Sequence, residues 1–95
     1  PLGFKKCTNA IYEPLYGEGG TSIIREKKNL PDTAKIRDNM SELELSAVDF
    51  AETLARHNIE AKKINGEKRC ELECQNSSRI VAKAIIDSRK PASVF

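Results

Sequence analysis

The sequence predicts a small α+β domain, an antiparallel sheet with two helices packed on one face, in the order β-α-β-β-α with a final β possible in principle. Three observations carry that expectation. A capping signal stands at Ser46–Asp49, a turn pair at Asn65-Gly66 sits between segments whose apolar residues fall in register, and a second amphipathic stripe runs from Ser77 to Ser88. The order matches the split β-α-β arrangement of ferredoxin-like folds, a topology that hosts many unrelated functions.

The first helix is assigned to residues 46–58. Ser46 can cap it while Asp49 reaches back to the Ser46 N–H, and Leu45 and Phe50 stand where a hydrophobic staple needs them. Ala47, Phe50, Ala51, Leu54 and Ala55 form its inward stripe, and Asn58 suits a left-handed C-cap. Glu42-Leu43-Glu44-Leu45 alternates polar and apolar and reads as a strand leading into the cap. The rival start at Ser41, with Glu44 closing the box, leaves the staple unexplained.

Asn65-Gly66 is the favoured pair for a two-residue hairpin turn. With that turn Ala61 faces Cys70 and Ile59 faces Leu72, placing the four apolar residues on one face; a one-residue slip would scatter them. The second helix is expected from Ser77 to Pro91, with Val81, Ala84, Ile85 and Ser88 inward and Ile80 beside them. Ser93-Val94-Phe95 is the candidate last strand.

Residues 1–30 read as an N-terminal arm and residues 31–95 as the single α+β domain. Pro14 limits the strand-like run at residues 9–16 to an edge or an extended arm. Gly17-Glu18-Gly19-Gly20 is a flexible break, so the arm is either extended and loose or a hairpin across the glycines. Asn29-Leu30-Pro31-Asp32 is the turn that ends it. Leu30 to Thr33 matches the L-P-x-T pattern of sortase substrates, but neither the hydrophobic span nor the basic tail of a sorting signal follows, so a loop is expected. Pro1-Leu2-Gly3 is set aside from the fold.

The 95 residues carry a net charge of +2, too small to imply a polyanionic partner by itself. Its distribution is uneven: +2 over residues 1–35, −3 over 36–58 and +3 over 59–95. There is no Trp, and the aromatics are Phe4, Tyr12, Tyr16, Phe50 and Phe95, so aliphatic side chains must fill the core. Three cysteines argue against a disulfide framework and for a reducing compartment, hence a cytoplasmic location. No stretch is long and apolar enough for a membrane span.

Catalytic chemistry finds no foothold. On a strand, Cys70 and Cys74 lie too far apart for a disulfide or a shared zinc ion. His57 is the only histidine, and no spacing brings a cysteine to it. No phosphate-binding glycine loop occurs. No catalytic residue, metal set or cofactor is therefore expected, and the function expected is binding.

The lead expectation is a regulatory or accessory contact with nucleic acid. Lys62, Lys63, Lys68 and Arg69 surround the exposed turn of a basic β-hairpin, and Arg79 and Lys83 extend the charge along the second helix. These strands lack the aromatics on which RNA-binding sheets stack bases. The alternative is a protein–protein module that uses Tyr12 and Tyr16 of the arm, or an open sheet edge, to hold a protein partner.

Overall fold

Residues 5–89 and 94–95 are described in the computed structural model, and among them there is no strand. Four α-helices make up the fold: α1 (Lys5–Tyr16), α2 (Thr21–Lys28), α3 (Glu42–Ala61) and α4 (Glu67–Arg89), with a 3-10 turn at Arg37–Asn39 between α2 and α3. The architecture is all-helical, so the predicted antiparallel sheet and the α+β class are overturned.

The hairpin region shows why. Residues 59–72 are the end of α3, a short turn and the start of α4. The apparent alternation rested on four apolar residues, too few to separate period 2 from period 3.6, while the intervening Glu, Lys and Arg are good helix formers. Cys70, Cys74, Ser77, Ser78, Val81, Ala82 and Ile85 instead form one stripe along a single long helix, buried or half-buried throughout. Ala61 and Leu72, expected inside, are exposed. Gly66 keeps its turn role in a different setting: at φ 95° it closes the connection and its carbonyl accepts the Cys70 N–H at 3.0 Å, opening α4. On the other side Lys63 takes the left-handed conformation at φ 54° and ends α3, with the Ile64 N–H bonded to the Ile59 carbonyl at 3.0 Å.

α3 starts earlier than predicted. Ser41 is its N-cap: Ser41 Oγ accepts the Glu44 N–H at 3.2 Å, and Glu44 Oε1 accepts the Ser41 N–H at 3.1 Å, completing a capping box. Glu42 to Leu45 is the first turn of this helix, not a strand, and Ser46 lies exposed within it. Between the two serines the longer acidic side chain wins, since Glu at the third position reaches the cap N–H more readily than Asp.

Residues predicted as an arm are also helical. Cys7, Ala10, Ile11 and Leu15 follow helical spacing and are buried, and Tyr12 and Tyr16 are buried beside them. Pro14 removes the donor that the Ala10 carbonyl would use, yet the helix ends only two residues later, so the loss is confined to its last turn. The glycines turn the chain into α2. At Gly20, φ 57°, an added Cβ would come within 2.5 Å of Asn9 Oδ1 on α1, so the turn lies tight against the helix. A turn does follow α2: Asn29 caps it in the left-handed conformation, and the Ala34 N–H meets the Pro31 carbonyl at 3.0 Å.

α4 is the centre, packed against α1 and α3. Small residues at the contacts, Ala51, Ala55, Ser77 and Ser78, are all buried and let the backbones approach closely. The Ser78 hydroxyl donates to the Ile11 carbonyl, tying α4 to α1. The molecule measures 38 × 33 × 20 Å, so its short dimension is about two helix diameters. Val94, buried at 7 % exposure, and Phe95, whose ring lies 5.2 Å from that of Tyr16, belong to no regular element. Ser93, the first residue of the expected last strand, lies outside the described residues, as do Lys90, Pro91 and Pro1 to Phe4.

Candidate docking face between two helices

α3 and α4 form an antiparallel helical hairpin whose one side is covered by the core. Its other side carries an open apolar groove of about 440 Å³, lined by Leu43, Ala47 and Phe50 of α3 and by Ile80, Ala84 and Ile85 of α4. Phe50 is 57 % exposed and Ile80 59 %, and they line the groove from α3 and α4 respectively; Leu43, Leu72 and Ile86 are exposed as well. Phe50 was expected in the core stripe. Starting α3 at Ser41 and packing Ala47, Val48, Ala51 and Ala55 inward leaves Phe50 and Leu43, seven residues apart, on the outer side. Leu43, Phe50 and Ile80, large apolar side chains that share this groove, mark a surface suited to contact, whereas Leu72 and Ile86 lie outside its lining.

The charges predicted for the hairpin tip do gather, though on a helical turn. Lys62, Lys63, Lys68 and Arg69 are all exposed around Ile64-Asn65-Gly66. Lys62 is shared with the protein, since its Nζ lies 3.0 Å from Glu73 Oε1. Glu73 is buried and also accepts from Ser77 Oγ at 3.3 Å and Asn58 Nδ2 at 3.5 Å. Arg79 and Lys83 stand apart, ten and fourteen residues along α4 from Arg69, or about 15 and 21 Å. Each has a neighbour on its own helix: Arg79 donates to Asn76 Oδ1 at 3.2 Å and Lys83 pairs with Asp87 at 3.1 Å.

Tyr12 and Tyr16, predicted to hold a partner, are core residues at 4 % and 5 % exposure. Burial raises the Tyr12 and Tyr16 hydroxyls above the ordinary tyrosine value, and at Tyr16 the bond to Glu44 adds to it. Tyr16 donates to Glu44, whose other oxygen pairs with Lys28 at 3.0 Å. Burial works against the Glu44 carboxylate, but its hydrogen bonds from Tyr16, the Ser41 N–H and Lys28 outweigh it and hold its pKa below the usual carboxylate value. With both oxygens engaged, the small pocket of about 200 Å³ between Tyr16, Lys27, Lys28, Glu44 and Phe95 offers no free base. A further clamp joins the 3-10 turn to α3, where Arg37 meets Asp49 at 2.8 Å and also Glu52. The bond to Asp49 raises the pKa of the Arg37 guanidinium.

The three cysteines are free. Cys70 and Cys74 stand one helical turn apart, not on a strand. Cys74 is hydrogen-bonded to Cys7 across the α1–α4 contact, and burial raises the Cys7 thiol and pushes that of Cys74 up to about 12. Among the described residues no group of three or more His, Cys, Asp or Glu is placed to hold a metal ion, and no helix is long and apolar enough to cross a membrane.

These features define a small all-helical domain with an uncovered apolar face on its longest helix pair. The chain belongs to the DinD C-terminal domain family, which it matches over residues 1–91. No curated protein and no solved structure matches it.

Proposed function

We propose that this chain is a non-catalytic binding domain that docks another protein chain on its α3–α4 face, by the mode in which a helix lies in an apolar groove. The observation that carries it is that Phe50 and Ile80, each more than half exposed, line one groove walled largely by apolar side chains. Aromatic and aliphatic anchors of this kind contribute most of the binding energy when a partner excludes water from them. The family description, a C-terminal domain, fits a module that works joined to a longer chain. Three free cysteines suit a reducing compartment, and we place the domain in the cytoplasm on that ground.

The test is photo-crosslinking in cells with p-benzoylphenylalanine in place of Phe50 or Ile80, and in place of the exposed Lys35 as a control. Discrete adducts are expected from the two groove positions and not from the control. Equal labelling from all three, or none from the groove, would overturn the docking face.

A second reading is favoured by the tip, where Lys62, Lys63, Lys68 and Arg69 crowd one exposed turn. Contact with a nucleic-acid backbone there would weaken with salt, with a log–log slope of about −3 to −4 on duplex DNA for four phosphate contacts. Changing the four to Gln should flatten the slope. Failure to bind labelled oligonucleotides even at low salt removes this reading.

A further inference from the structure

We infer that the occupant of the α3–α4 face is the same face of a second copy of this chain, related by a two-fold axis parallel to the helices so that α3 of each copy lies on α4 of the other. The inference rests on the docking reading above and names its partner.

Size comes first. α3 and α4 have 20 and 23 residues, about 30 and 34 Å long at 1.5 Å per residue, and side by side they offer a face of about 600 Å². That is close to the ~800 Å² of accessible surface that a standard interface takes from each partner. A hairpin face of this length would complete a four-helix bundle when paired with another hairpin.

Charge then selects the pairing. α3 carries five acidic residues against Arg56 alone, whereas α4 carries five basic residues against four acidic ones. Laying α3 on α3 of the second copy would bring two strongly acidic helices together. Laying α3 on α4 avoids that repulsion, setting the acidic helix against one whose five basic and four acidic residues nearly cancel, and keeps the touching helices antiparallel.

Side chains agree with that arrangement. Phe50 and Ile80 line the same part of the groove. With the axis parallel to the helices, Phe50 of each copy meets Ile80 of the other at the centre, a self-complementary contact made twice.

The experiment is sedimentation equilibrium of the purified chain over a concentration series reaching the millimolar range. A species of twice the 10.6 kDa chain mass is expected to appear as concentration rises. Phe50→Asp and Ile80→Lys should each weaken self-association by about thirtyfold or more, as for a central anchor, with helix content unchanged by circular dichroism. Should Phe50→Asp lose helix content, Ser46→Asp, one turn away on α3 and lining the same groove, replaces it as the acidic variant. Mixing the Phe50→Asp and Ile80→Lys chains should restore a dimer, since one contact then sets Asp against Lys and the other keeps Phe50 on Ile80. A chain that stays monomeric at every concentration overturns the inference, as does a dimer indifferent to both changes. Monomeric variants that do not recover on mixing overturn the α3-on-α4 pairing. A monomeric chain whose groove positions still give discrete cross-links to a different protein would leave the docking reading standing and remove only the second copy.

Discussion

The Ser78 hydroxyl on α4 donates to the main-chain carbonyl of Ile11 on α1, 67 positions earlier in the chain. Both partners are buried at 1 % exposure or less, and Ile11 lies one residue past the carbonyl that Pro14 leaves without a helical donor. Ser78→Ala would remove the donor and a small volume, while the Ile11 carbonyl stays within helical reach of the Leu15 N–H in α1. A loss of about 0.5–1.5 kcal/mol is expected in urea denaturation. A variant as stable as the parent would mean that the bond adds nothing to the α1–α4 contact.

The capping box gives a paired comparison. Ser41→Ala should lower stability by ~1 kcal/mol, as for other serine N-caps. Ser46→Ala removes an exposed serine inside the helix and should be neutral or slightly stabilising, since Ala is the better helix former. Denaturation curves in the opposite order would place the helix start at Ser46.

Acid should reveal Glu44. Its folded pKa lies below the unfolded value of 4.5, so its contribution to stability is complete above that value and is lost as pH falls through the lower folded one. Glu44→Gln should therefore be less stable than the parent at neutral pH, and the gap should close as pH drops below the ordinary carboxylate range. A gap independent of pH would mean that the carboxylate charge plays no part in the contact with Tyr16 and Lys28.

Gly66 offers a test of backbone strain alone. An added Cβ would have nothing within 4 Å, yet φ is 95°. Gly66→Ala should cost about 1–2 kcal/mol through the conformational penalty on an L side chain, with no loss of helix content. An unchanged midpoint would show that the turn relaxes without cost.

Thiol reactivity should be graded. Cys7 and Cys74 are fully buried with raised pKa values, and Cys70 is half-buried. Titration of the native protein with a thiol reagent should label Cys70 first, and Cys70→Ser should remove the early phase. An equal rate at all three would indicate that α1 separates readily from α4.

Both ends of the α3–α4 connection were legible as a break, because Asn65-Gly66 disfavours continuous helix and Gly66 does adopt positive φ. What the break joins was not. Ile59, Ala61, Cys70 and Leu72 satisfy a hairpin register by themselves, and only the unbroken stripe from Cys70 to Ile85 decides for helix. The same stripe would have exposed Ile80 as an outward residue, and the seven-residue spacing of Leu43 and Phe50 would have placed both on the outer face of an earlier-starting α3. α1 was hidden by Ile11, Tyr12, Pro14 and Tyr16, residues that favour strand or end helices locally but are held helical by burial against α4. The basic tip was readable from composition, since clustering within eight residues survives either backbone conformation.

The packing of α1 on α4 also sets the order of events during synthesis. α1 leaves the ribosome before most of the domain exists, and its apolar side meets its partner only after Cys74, Ser77 and Ser78 have followed. At roughly 5–20 residues per second, the delay is several seconds, far longer than a helical hairpin needs to close. α3 and α4 can thus assemble while α1 is still uncovered, and the last step within the domain is the return of α1 to α4. Arrested chains ending before residue 74 should leave residues 5–16 open to protease, and those carrying α4 beyond residue 82 and clear of the exit tunnel should protect them.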